Sequence, residues 1–159
     1  MRTPLASPVE AFVSPLRVLI LEERQHLRKL FRSILVNIGV KRIEEAADGI
    51  AGLEAIKAVN PDLVIVAWDL PLLNGAELVR IMRTSGVLVK PDLPVIMFAS
   101  SANGRRIAEA KELGVNAYLI LPVSAKTLLE RMMSIGIPPR QPAIPDGKAV
   151  EASDDVFIV

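Results

Sequence analysis

Two adjacent carboxylates, Glu22 and Glu23, close a short apolar run. Paired oxygens of this kind are what a hard divalent cation takes as ligands. A third acid, Asp69, stands in a loop after another apolar run, where it could join the same ion or accept a transferred group. Arg105 and Arg106 open a helical stretch. Guanidinium forks and helix-end amides there could grip an anion such as a cyclic dinucleotide, although a solvated face is the plainer reading. His26 is the sole histidine, and it reads as a surface residue in the first turn of a helix. Ser100 and Ser101 suit the capping of the helix that follows them. The chain has no Cys, which removes disulfides, thiol catalysis and thiolate metal sites.

These groups must be positioned by elements, and the pattern is regular. Val18, Leu19, Ile20 and Leu21 form a continuous apolar run, as expected for a parallel strand covered on both faces. Leu27, Leu30, Phe31, Ile34, Leu35 and Ile38 then follow helical spacing up to Gly39. The same alternation recurs. Strands are expected at 42–47, 62–67, 94–99 and 117–121, with helices at 50–59, 78–82, 107–113 and 124–133. Five βα units in strict order predict a doubly wound, five-stranded parallel sheet of flavodoxin-like α/β type. In such sheets ligands bind beyond the carboxyl ends of the strands. The place to look is therefore after Leu21, Ala67, Ala99 and Leu121.

Three stretches differ in texture. Residues 1–16 carry Pro4, Pro8 and Pro15 and read as a flexible arm; residues 17–136 are the domain. Residues 137–159 begin with Pro138, Pro139, Pro142 and Pro145 and read as a linker or extended strap. Its last four residues are apolar and read as a frayed end, or more sharply as an anchor that docks on this domain or on a partner.

Composition narrows the class further. At 159 residues, with 51% hydrophobic and only 4% aromatic side chains, the core must be aliphatic. Mean hydropathy is +0.39, so there is ample material to bury. A net charge of +1 gives no electrostatic case for nucleic acid or an anionic membrane. No apolar run approaches the roughly 20 residues that span a bilayer. The prolines near the start break any signal sequence, so the cytoplasm is the expected compartment.

Several features in register resemble the receiver domain of two-component response regulators, above all the chemotaxis type. They are the acids Glu22 and Glu23, the helix with Arg28, and the Asp48-Gly49 turn. The loop from Leu70 through Pro71 and Asn74 to Gly75, Tyr118, and the Leu121-Pro122 step complete the set. The resemblance spans residue 17 to about residue 135. It implies a signalling module that is not an enzyme in its own right. Its partners would be a histidine kinase, a phosphotransfer protein or an output protein, with a homodimer as a further option. Relatives of this kind hold Mg²⁺ on acids after the first strand and take a phosphoryl group on an aspartate ending the third. A hydroxyl ends the fourth strand, and a lysine precedes the proline after the fifth.

Filling those positions gives an unexpected result. Counting back from Pro71 and Gly75, the acceptor position is Ala67. The hydroxyl position is Ala99, and the lysine position is Leu121. Three polar positions are apolar together, and losing both lysine and aspartate avoids an uncompensated charge. The expectation is a receiver that cannot be phosphorylated at the usual position, needs no cofactor, and works by protein–protein contact. The alternative is atypical phosphorylation at Asp69, with Mg²⁺ held weakly by Glu22, Glu23 and Asp69. Partner contact is expected around Arg105, Arg106 and Tyr118. Trp68 reads as a partly exposed aromatic beside the crevice. A flavin binder would want a phosphate-cradling loop where the acids stand. A haloacid-dehalogenase-type phosphatase would want an aspartate ending the first strand. The tail leaves no room for a helix-turn-helix.

Overall fold

The computed structural model describes residues 7–140 apart from Ser85 and Val89. Five strands alternate with helices: β1 (Arg17–Leu21), β2 (Arg42–Ala46), β3 (Leu63–Ala67), β4 (Val95–Ala99) and β5 (Ala117–Ile120). The helices after them are α2 (Gln25–Ile38), α3 (Gly49–Val59), α4 (Gly75–Arg83), α5 (Gly104–Glu112) and α6 (Ala125–Ser134). All strand pairs are parallel, in the order β2-β1-β3-β4-β5. The order reverses direction at β1, so right-handed crossovers must put helices on both faces. Accordingly α2 packs with α6, while α3 packs with α4. The doubly wound expectation holds.

The wholly apolar strands β3 and β4 are buried along their entire length at the centre of the sheet. Phe31 of α2 and Phe98 of β4 meet with ring centroids 4.5 Å apart. The edge strand β2 carries Arg42, Glu44 and Glu45, and charge on an edge discourages pairing with another chain. Arg28 and Arg32 of α2 both reach Glu45, at 3.1 and 2.6 Å.

Both flanks of the domain differ from expectation. The segment 7–16 is not a flexible arm, because Pro8–Val13 form a helix, α1. Ser7 caps it by accepting from the Glu10 amide at 3.1 Å, and Pro8 occupies the first turn, where a missing N–H costs nothing. Val13 and Leu16 then lie fully buried. At the other flank the boundary at 136 falls too early. Ile137 is buried, and Arg140 pairs with Asp62 at 3.0 Å. The apolar residues 156–159 lie outside the described residues. No described helix is long and apolar enough to cross a membrane.

Candidate functional site

The carboxyl ends of the strands form the crevice. Glu22 continues β1, and its amide donates to the Ala46 carbonyl at 3.1 Å. Trp68 continues β3, its amide donating to the Phe98 carbonyl at 2.9 Å. Leu121 lies one residue past β5, and its amide donates to the Ala99 carbonyl at 2.9 Å. The Leu121-Pro122 bond is cis. The backbone ladder thus brings Ala67, Ala99 and Leu121 to one rim, as the sequence implied. Ala67 is only 2% exposed, and its neighbour Ala99 is nearly as closed.

The loop after β3 is held from both sides. Gly75 donates to the Trp68 carbonyl at 2.8 Å, and a Cβ at Gly75 would overlap the Ala67 carbonyl. Asn74 accepts from the Glu77 amide at 2.8 Å while Glu77 accepts from the Asn74 amide at 3.0 Å, a reciprocal cap on α4. Leu72 takes a left-handed backbone with φ 71°. The Gly49 amide donates to Pro71 at 3.1 Å, which ties the loop to the start of α3.

The acids do not assemble into a cation site. Glu22 is 0% exposed, and both of its carboxylate oxygens are engaged. Oε1 accepts from Arg24 Nε at 2.6 Å, and Oε2 accepts from the Glu23 amide at 2.9 Å. Arg28 donates to the Glu22 and Glu23 carbonyls at 2.6 and 2.9 Å. Two cations therefore already answer this corner of the crevice. The Glu23 side chain faces solvent. Among the described residues no three acids or histidines come together as a metal-binding group. This donor set does not fit the Mg²⁺ of related domains, and it corrects the grouping of Glu22, Glu23 and Asp69.

Asp69 sits opposite, with its side chain 72% exposed. Arg106 approaches it at 3.3 and 3.4 Å, and the same guanidinium lies 5.1 Å from the centroid of the Trp68 ring. Planar stacking and pairing suit arginine far better than lysine. Trp68 is 7% exposed, so the expected half-open aromatic is in fact a buried one lidded by Arg106. Arg106 is thus engaged inside the protein, while Arg105 faces solvent. The α5 cap is Asn103, which accepts from the Arg106 amide at 3.1 Å, and not Ser100 or Ser101. Tyr118 lies half-buried on β5, with its hydroxyl buried and without a hydrogen-bond partner. Burial raises its pKa, Arg106 lowers it and Asp69 raises it again. His26 is exposed in the first turn of α2, as read. Sequence reasoning missed the partners Arg24 and Arg106. Their signal was faint: one cation two residues from Glu22, and one far along the chain.

A match to the response regulator receiver domain family covers residues 18–133. The chain belongs to this receiver family. It is 31% identical to the chemotaxis protein CheY-3 of Vibrio cholerae over 120 residues, covering 76% of this chain and 91% of that protein. It is 30% identical to the chemotaxis protein CheY of Pseudomonas aeruginosa, with 76% of this chain and 95% of that one aligned. A putative response regulator from Chloroflexus aurantiacus superposes with a TM-score of 0.70 at 24% identity, over 76% of this chain and 96% of its own. CheY4 of Vibrio cholerae superposes with a TM-score of 0.68 at 23% identity, over 76% and 98%. This receiver is therefore a component of two-component signalling, and receivers work through contacts with signalling proteins.

Proposed function

We propose that this receiver signals without accepting a phosphoryl group, by standing protein–protein contact. The observation that carries the reading is the β3 terminus. The residue in the acceptor's register, Ala67, offers only a buried methyl, and its carbonyl lies so close to Gly75 that the loop has no room to shift inward. Phosphoryl transfer between a small donor and a carboxylate relies on positioned charge to stabilise the transferring group. Here Ala99 and Leu121 supply neither a hydroxyl nor an ammonium, and Glu22 is already tied to Arg24. The module is read as non-enzymatic and cytoplasmic, with no need of Mg²⁺. The solvent-facing Arg105, together with the exposed Ile107 of α5 and Ile120 of β5, offers a mixed surface for a signalling partner.

A second reading stays open on one observation: Asp69, just past β3, is an accessible carboxylate at the crevice. One experiment separates the two. The protein is incubated with acetyl phosphate and Mg²⁺ while intact mass and Trp68 fluorescence are followed. The expected result is no mass gain and no change in emission. A phosphoryl mass gain that disappears in Asp69→Asn would overturn the first reading and establish the second.

A further inference from the structure

The pole of the sheet opposite the crevice is shaped around the place where the chain reaches Arg140. That guanidinium donates to Asp62 at 3.0 Å and to the Asn60 carbonyl at 3.2 Å. Pro138, Pro139 and Arg140 line a cavity of about 440 Å³ together with Asp62, Lys90, Asp92 and Leu93. Lys90 and Leu93 also line a second cavity, of about 300 Å³. Its other walls include Ile56, Pro61, Val87 and Leu88, and Lys57 stands with Lys90 at its edge. The domain thus delivers its chain to the lip of an apolar groove with a cationic rim.

The sequence beyond Arg140 has the complementary character. Asp154 and Asp155 precede Val156, Phe157, Ile158 and Val159. Two carboxylates followed by an apolar run match two ammonium groups beside an apolar groove. Pro142 and Pro145 favour an extended path. At about 3.1 Å per extended residue, residues 141–155 can reach far past a groove that shares two lining residues with the cavity at Arg140. A covalent tether also supplies an effective concentration of order millimolar, so a contact with a Kd well below about 1 mM would be mostly occupied.

We propose that residues 154–159 dock in this groove of their own chain. Phe157 fills the apolar cavity, and Asp154 and Asp155 face Lys57 and Lys90. The site is independent of the crevice and of whether a phosphoryl group is ever accepted.

The absence of cysteine makes the test clean. A full-length Val87→Cys/Ile158→Cys chain is oxidised over a range of protein concentrations. The expected product is a monomer with an internal disulfide at every concentration. Cross-linked dimers alone would assign the groove to a second copy's tail, and no cross-link would leave it without this occupant; either result overturns the proposal. Amide exchange gives a second measure on the uncross-linked chain. In Phe157→Asp, exchange across 56–61 and 86–93 is expected to rise about tenfold, as a lost local contact allows, while the sheet amides stay unchanged. Equal exchange in both proteins would overturn the proposal even if the cysteine pair failed to fold.

Discussion

Tyr118 shows how a polar atom behaves once its partners are elsewhere. Its hydroxyl is buried and unpaired, so it adds little to stability at neutral pH. We expect Tyr118→Phe to fold with stability within about 0.5 kcal/mol of wild type or above it, by denaturant unfolding. The alkaline side should then diverge. Burial, the largest influence, raises the folded pKa above the unfolded value. A tyrosine is neutral below its pKa, so its contribution is intact below about pH 10 and is lost as pH climbs beyond that. Wild type should therefore lose stability above pH 10 faster than Tyr118→Phe does. A neutral-pH loss above about 1 kcal/mol in the variant would mean that the hydroxyl is hydrogen-bonded after all. At this scale the sequence told half the story. Ala67, Ala99 and Leu121 were found by counting along the chain, because backbone register is local. The grip of Arg24 on Glu22 and of Arg106 on Asp69 was not found, because side-chain pairing is decided in space.

The elements were far more legible. Runs such as Val64, Ile65 and Val66, alternating with helical spacing, leave only a handful of workable topologies once right-handed crossovers are required. The turn residues carried equal information, since Gly39 caps α2 with a left-handed backbone and Asn60 does the same for α3. The short helix α1 is hard to read in a stretch with prolines at 4, 8 and 15, although Pro8 sits where a helix tolerates it. The loop that follows β3 allows a sharp prediction. Gly75→Ala drives a methyl into the Ala67 carbonyl, an atom that cannot turn aside. A loss of about 1–3 kcal/mol is expected from such overpacking, with Trp68 emission reporting the displaced loop. Unchanged stability and emission would show that the loop is looser than its hydrogen bonds suggest.

On the scale of the molecule, the domain is larger than its repeating pattern. Val13, Leu16 and Ile137 are all buried, yet all three lie outside residues 17–136. Full burial of an aliphatic side chain stabilises by about 1.5–3 kcal/mol, so a fragment cut at 17 and 136 should lose several kcal/mol relative to 7–140. Thermal unfolding of the two fragments checks this, and equal midpoints would reduce both flanks to decoration. The periodicity of βα units could not have revealed these additions, because a flank contributes one or two anchoring residues and no repeat.

The Asp62 carboxylate carries a mechanical consequence. Its Oδ2 accepts from the Arg17 amide at 2.8 Å and from Arg140 at 3.0 Å, and its own amide donates to the Arg17 carbonyl at 2.8 Å. The first residue of β1 and the described segment after α6 are fastened to the same side chain. Tension applied between the two flanks would therefore load this clasp before it reached β3, β4 or the crevice. Anything tethered to either flank would hang from the far pole and leave the crevice end of the receiver unobstructed.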